Sequence, residues 1–519
     1  MQKRITAKQT KHLFSLNQEI SLIDVREIGL HASGHPFYSI SIPYSIFEAK
    51  IQELVPNKSV LIILFDHNDG LSEIVYEEVK NIGYHNVRIL ENGVFGWKKE
   101  GYELFDGINI PSKAFGEWVE EEYKTPHIKP RELAKKIKSN KNILVLDGRT
   151  IEEFRTMNIP TAINCPNMEI PVRIIDEIDS HTEIIIGCAG RTRSIIGTQN
   201  LINYGIKNSV KALENGTQGW FLANLKLQHN QNKRLSLSKL KKKKLFEEKS
   251  RYLIKKFNLK TINFNKTKIF LEEKNSTTYV FNVTEPKKNL SIFPNIRNVP
   301  GGQLIQATDN FIAVWNSKIV LLDDGELIRS TMTASWLKQM GYEVYLYNDK
   351  PEKLDKYFEN KNINFKLMKI KNIKLNDLKK YAKFTMLDVR NSHNYRKLHL
   401  KKSKWTTRSN LRFINLVKDK DILIIYDEPK KAQLITKSIN TILNVNVFYH
   451  CFDKKGYLTY PDLYTQTPYN PKTSDCIDFV YHTHKRHKGN ISHAKAYLSW
   501  EKKLLSRMDD QEFSRFTKL

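Results

Sequence analysis

Short apolar runs that give way to helical spacing organise this chain. VLIILF, ending at Phe65, and EIIIG, ending at Gly187, are too short for a helix and rich in β-branched residues, so they predict buried strands. After each comes a small polar loop and then a stretch of helical periodicity, Ser72 to Ile82 and Ser194 to Tyr204, closed by a glycine turn at Gly83 and Gly205. The same order returns downstream. YVFNV at Asn282 precedes KIVLLDD at Asp323, a helix through Trp336 and the turn Gly341-Tyr342, and FTMLDVR at Asp388 precedes DILIIYD at Asp427 and a helix through Ile439.

Two landmarks fix the period. ENGVFGW (Glu91 to Trp97) and ENGTQGW (Glu214 to Trp220) lie 123 positions apart, and the same offset superposes LIDVRE around Asp24 on VLDGRT around Asp147. A repeat of this kind implies several domains of one type rather than one large core. The fourth copy ends in a degraded segment, Cys451 to Gly456, that lacks the Gly-Gly-Trp element. Strands alternating with helices favour a mainly parallel sheet with helices on both faces, so the predicted fold class is α/β, built from tandem domains. The predicted units span residues 1–112, 124–228, 245–350 and 366–462, with a mostly helical tail over 473–519. Polar, charged or proline-bearing joints are expected at Ile110 to Pro126, Gln228 to Lys244, Asn348 to Lys371 and Pro461 to Lys472.

Composition narrows the class. At 519 residues and 40% hydrophobic content the chain can bury several cores and is not a disordered polymer. The polar start, Met1 to Glu19, lacks a signal-type apolar core and no run of about 18 apolar residues occurs, so a cytoplasmic protein with no membrane partner is expected. The net charge of +28 would attract anions, yet the basic residues are dispersed; the exception, Lys239 to Lys244, reads as a solvated linker or helix face rather than a nucleic-acid site. Four cysteines (Cys165, Cys188, Cys451, Cys476) fit neither a disulfide framework nor a zinc pattern.

One cysteine is placed for chemistry. Cys188 ends the central strand of the second unit, and its loop continues Ala189, Gly190, Arg191, Thr192, Arg193, Ser194 before the predicted helix. Main-chain N–H groups of a tight loop and a helix N-terminus favour an anion there, and Arg191 and Arg193 add positive charge, so a populated thiolate is expected. Such a thiolate can take the outer sulfur of an anionic donor and hold it as a persulfide that a thiol or cyanide then removes. Gly190 is expected to supply the positive φ that a loop wrapping one sulfur atom needs and a backbone close to the ligand. The corresponding strand ends elsewhere are Asp66, Asp323 and Asp427, which cannot form a persulfide and predict silent units.

With these residues in view, the chain resembles the rhodanese family, and specifically bacterial multi-domain members with a CAGRTRS loop, over about Met1 to Gly456. The resemblance implies tandem rhodanese-like domains, a sulfurtransferase activity with no cofactor, and a persulfide on Cys188. Asp147 and Arg149 look like the family's Asp-x-Arg element, and ENGTQGW like its closing Gly-x-x-Gly-Trp. PGGQLIQATD (Pro300 to Asp309) and HKRHKGN (His484 to Asn490) also look like features of those proteins, with no chemistry attached.

Other readings carry less. Cys165, Cys451 and Cys476 read as structural, Trp97 and Trp220 as packing residues, and His482, His484 and His487 are too irregularly spaced, among Lys485, Arg486 and Lys488, for a metal. A cysteine phosphatase or arsenate reductase would need an arginine six positions after the nucleophile, where Ser194 stands, and Gly187 precedes the cysteine instead of a histidine. A sulfur relay or scaffold, with Cys188 passing persulfide to a protein such as tRNA-thiolation machinery, would account for three silent units.

Overall fold

The computed structural model describes residues 3–139, 141–174, 178–236, 243–286, 292–359, 361, 367, 370–378, 384–414, 420–467, 477–480 and 490–519. Among these residues the strands form four separate parallel sheets. The first contains β1 (Arg4–Ile5), β2 (Ile20–Asp24), β3 (Ser39–Ser41), β4 (Leu61–Phe65) and β5 (Val87–Leu90) in the order β1-β5-β4-β2-β3. The second repeats it with β6 (His127–Ile128), β7 (Ile143–Asp147), β8 (Ile163–Asn164), β9 (Glu183–Gly187) and β10 (Val210–Leu213) in the order β6-β10-β9-β7-β8. The third has β11 (Lys260–Ile262), β12 (Thr278–Asn282), β13 (Lys318–Leu322) and β14 (Glu343–Tyr347) in the order β11-β14-β13-β12. In the fourth, β15 (Thr385–Asp388), β17 (Lys404–Trp405), β18 (Ile422–Tyr426) and β19 (Val447–Cys451) run β17-β15-β18-β19, beside an antiparallel pair, β16 (His399–Leu400) with β20 (Tyr464–Thr465).

The apolar runs read from the sequence are strands because both of their faces are covered. In β9, Ile184 and Ile186 join Ile170, Ile174 and Leu201 on one side, whereas Ile185 joins Leu133, Phe154, Leu213 and Trp220 on the other. Side chains alternate across a strand, so a strand buried on two faces is apolar at every position. β7 pairs with β9 from Ile143↔Glu183 to Asp147↔Gly187, which sets the carboxyl end of β9 beside the turn after Asp147.

The chain divides into two compact units. One holds the first and fourth sheets (1–14, 20–108, 363–481), the other the second and third sheets with the C-terminal helices (15–19, 109–362, 482–519). The expected joint at Ile110 to Pro126 is instead a helix, Ile110–Tyr123. Ile110, Ala114, Phe115, Trp118 and Val119 are buried at helical spacing, and that apolar stripe outweighs the polar residues between them. The predicted helix of the second unit begins two residues early, at Thr192. The expected joint at Asn348 to Lys371 also contains a helix, Pro351–Glu359. Most of the basic run, residues 239–242, lies outside the described residues, as do Cys476, His482, His484 and His487. No helix among the described residues is long and apolar enough to cross a membrane.

Candidate active site

Cys188 follows β9 directly, and the helix Thr192–Tyr204 starts four positions later. The loop between them is clamped by the ENGTQGW element. The main-chain N–H of Thr217 donates to the Cys188 carbonyl at 2.8 Å and that of Gln218 to the Ala189 carbonyl at 3.1 Å. Gly216 makes the approach possible: its φ is +54°, and a Cβ there would lie 2.3 Å from the Cys188 carbonyl oxygen. The same clamp closes the first unit, where the Val94 N–H donates to the Asp66 carbonyl at 3.0 Å. Trp97 and Trp220 are buried and donate their indole N–H to the carbonyls of Glu103 and Lys226, as packing residues do.

The thiol faces into its own loop. Cys188 Sγ lies 3.5 Å from Ser194 Oγ and 3.8 Å from the Arg191 carbonyl, to which Ser194 Oγ donates at 2.8 Å. The side chain is 2% exposed. Thr192, Arg193 and Ser194 open the helix, where main-chain N–H groups have no intrahelical acceptor.

The sister loops show what such N–H groups bind. Asp66, at the same strand end in the first unit, accepts from the N–H groups of Asn68 and Ser72, both at 2.8 Å. Asp323 accepts from Gly325 at 3.1 Å, Leu327 at 2.9 Å and Ser330 at 3.0 Å. In both loops a carboxylate is held by amides two residues on and by the first turn of the helix. Asp427 is different: it is exposed, and Pro429 begins the helix two residues later, leaving no room for a loop.

The loop arginines are directed away from the role expected of them. Arg191 donates to Glu117 through Nε at 2.6 Å and Nη2 at 2.7 Å, and it also pairs with Glu120. Both acids lie on the helix Ile110–Tyr123. Burial pushes the Glu117 carboxyl up to about 7 against the pull of this guanidinium. Burial also works against the Arg191 charge, but the bonds and charge of Glu117 hold it above its ordinary value. Arg193 grips Glu153 with two bonds of 2.6 Å, and Asn167 donates to the Arg193 carbonyl at 2.7 Å. Glu153 is pulled down to about 2: burial opposes its charge, and Arg193 and Arg149 overcome that. The Cys188 sulfur nevertheless belongs to the surroundings that favour the Arg193 charge.

Asp147 and Arg149 form a buried two-bond pair, at 2.9 and 2.7 Å, and Arg149 also donates to the Met157 carbonyl at 2.6 Å. The same pair recurs as Asp24 with Arg26 and Asp388 with Arg390, in units without the cysteine. It therefore serves the repeated fold at the end of the strand.

Gly190 does not adopt a positive φ, and neither does any other residue from Cys188 to Ser194. Its lack of a side chain answers to crowding instead. A Cβ there would lie 3.2 Å from Glu501 Oε2, 3.3 Å from the Tyr497 ring and 3.6 Å from Gln218 Nε2. Glu501 and Tyr497 stand on the helix Ile491–Lys502, and Glu501 Oε1 accepts from Thr192 Oγ1 at 2.9 Å and lies 3.7 Å from Lys113 Nζ. Sequence reading passed over Glu117, Glu120, Glu153, Gln218 and Glu501. The first two could have been found by treating 110–123 as a helix, and Glu153 from the capping box that it forms with Thr150; nothing in the sequence joins Glu501 to residue 192.

Cys165 is fully buried, and burial pushes its thiol far up, in keeping with a structural residue. Cys451 is exposed at the end of β19. No cluster of three or more His, Cys, Asp or Glu that could hold a metal occurs among the described residues.

Residues 6–100 and 129–223 match the family model of the Rhodanese-like domain. No curated protein sequence matches the chain. Among solved structures, the thiosulfate sulfurtransferase from Pseudomonas aeruginosa is 28% identical, covers 99% of both chains and superposes with a TM-score of 0.88. The anaerobic ergothioneine biosynthesis enzyme from Chlorobium limicola is 12% identical over 69% of this chain and 97% of that one, at a TM-score of 0.24. A Bacillus halodurans protein is 22% identical over 24% of this chain and 92% of its own, at 0.19. The two matched segments are thus tandem rhodanese-like domains, and the fold of the chain is the rhodanese fold.

Proposed function

We propose that the chain is a sulfurtransferase in which Cys188 carries the sulfur. One observation bears most of the weight. Where the sister loops hold a carboxylate on main-chain N–H groups, the second unit has a thiol at the same strand end, ahead of a helix whose first N–H groups have no intrahelical acceptor. A persulfide places a negative terminal sulfur about one bond beyond Sγ, and amides fixed in advance stabilise such a charge without reorganising. The likeness to the Pseudomonas aeruginosa enzyme across 99% of both chains supports the same reading.

The reaction is two displacements. The Cys188 thiolate attacks the outer sulfur of a donor such as thiosulfate, the bond between the two donor sulfurs breaks with its electron pair on the leaving group, and sulfite departs. A thiolate or cyanide then attacks the outer persulfide sulfur, and Cys188 leaves as the thiolate. Ser194 Oγ, 3.5 Å from Sγ, donates to the Arg191 carbonyl, and turning its one hydroxyl proton onto the sulfur would give the anion a donor in both steps. Asp66 and Asp323 occupy their own cradles, so we assign one sulfur per chain and read the remaining units as structural.

The phosphatase reading loses support because both loop arginines face carboxylates. A small acceptor is favoured over a relay to a protein cysteine by the covering of Cys188, with Gly190 packed against Glu501 and Tyr497.

Intact mass after thiosulfate treatment tests the proposal: an increment of about 32 Da, mapped to the Cys188 peptide, is expected. Cys188→Ser should remove the increment and all transfer to cyanide. Transfer that survives this change would refute Cys188 as the carrier, and a loaded persulfide that no small thiol or cyanide discharges would favour the relay.

A further inference from the structure

Gly190 is the meeting point of two buried polar side chains that the sulfur chemistry does not use. Gln218 is 3% exposed, and neither its amide oxygen nor its amide nitrogen has a partner among the described residues. Glu501 is 1% exposed; Oε1 takes the Thr192 hydroxyl, and Oε2 has no partner among the described residues. Built onto Gly190, a Cβ would sit 3.2 Å from that oxygen and 3.6 Å from Gln218 Nε2, so both groups converge two residues after Cys188. A buried oxygen left without a donor costs about 1–3 kcal/mol, a cost that a ligand's N–H removes.

The charges around this edge have a sign. Glu120 and Glu501, with a Glu117 carboxyl raised to about 7, meet Arg191 and Lys113, so no cation is left over at this edge. A small anion gains nothing from such an edge. An ammonium group gains a carboxylate oxygen that is already desolvated, beside a Gln218 amide that has no partner among the described residues.

Resting on the sulfurtransferase reading above, we infer that Glu501 and Gln218 are specificity residues that select a sulfur acceptor bearing an ammonium group close to its thiol, a small aminothiol. In the discharge step the aminothiol sulfur attacks the outer persulfide sulfur, the bond to Cys188 Sγ breaks, and the products are an aminothiol persulfide and the free Cys188 thiolate. The ammonium group keeps its proton throughout and lies against Glu501 Oε2; Gln218, whose Nε2 is the atom directed to this edge, must turn its amide to offer the oxygen as a second acceptor.

The test separates loading from discharge. Full-length protein is loaded with thiosulfate, the increment on Cys188 is confirmed, and single-turnover discharge is timed with cysteamine, 2-mercaptoethanol and mercaptoacetate. Wild-type protein is expected to prefer cysteamine over mercaptoacetate, and Glu501→Gln to shrink that ratio by about tenfold, the effect of one lost charge-assisted hydrogen bond. Comparing the two proteins cancels the intrinsic reactivity of each thiol. Gln218→Glu should enlarge the ratio, and because the two variants move it in opposite directions, a shared folding defect cannot mimic the result. A ratio that stays within twofold of wild type in both variants overturns the inference while leaving the persulfide intact. A Cys188 that never loads overturns the sulfurtransferase reading itself.

Discussion

Glu117 and Glu153 titrate in opposite directions although each holds one arginine of the Cys188 loop. For Glu153 the guanidinium of Arg193 outweighs burial and the carboxyl falls to about 2. The unfolded chain therefore takes up the proton first as pH drops, and the contribution of Glu153, present above the ordinary carboxylate value, is lost between about 4.5 and 2. For Glu117 burial wins and the carboxyl rises from 4.5 to about 7. There the folded state keeps the proton longer, so stability falls as pH rises through that window, by up to about 3 kcal/mol. Glu117→Gln, which keeps an oxygen for Arg191, is expected to flatten this fall: urea midpoints at pH 5 and pH 8 should lie closer together in the variant than in the wild type. At this scale Cys188 and its loop were legible because a cysteine at a strand end followed by small and basic residues has few structural reasons to exist. The partners of Arg191 were not, since a charge can be counted in a sequence while the carboxylate that neutralises it depends on which helix packs alongside.

The loops that join strand to helix behave as one element with two fillings. Asp323 satisfies three amides, of which the one of Ser330 is buried and would otherwise lack an acceptor. Asp323→Ala should lower stability by about 1–3 kcal/mol, read as a lower urea midpoint at unchanged slope, with loading of Cys188 unaltered. The central strand of each of the four sheets was legible, because apolar runs of about five residues buried on both faces leave little choice, whereas the short edge strands were not. The helix Ile110–Tyr123 was hidden by the proline at its start and by the polar residues between its apolar positions. PGGQLIQATD had no visible chemistry, and the structure gives it a packing task. A Cβ on Gly301 would meet Thr333 Oγ1 at 2.1 Å, and Thr308 and Asp309 bond to Ser112 and to the N–H of Asn109. Such contacts join elements about 200 residues apart and leave no local period to detect.

Each compact unit pairs one early domain with one late domain through a buried arginine. In the unit of the second and third sheets, Arg329 reaches Glu169 at 2.7 Å. In the other, Arg408 grips Glu48 with bonds of 2.5 and 2.9 Å and lies 3.9 Å over the ring of Tyr44. Arg408→Met would leave Glu48 buried without its main partner and should cost about 3–5 kcal/mol. Faster hydrogen exchange across residues 20–108, with persulfide loading at Cys188 retained, is the expected signature. The bond between Thr192 and Glu501 spans 309 positions of sequence. During synthesis the nucleophile's loop must therefore wait for most of the remaining polypeptide to emerge before its outer wall is in place. A nascent chain carries Cys188 long before it carries Glu501, so, on the proposed function, chaperone cover in that interval would protect the thiol as well as the fold.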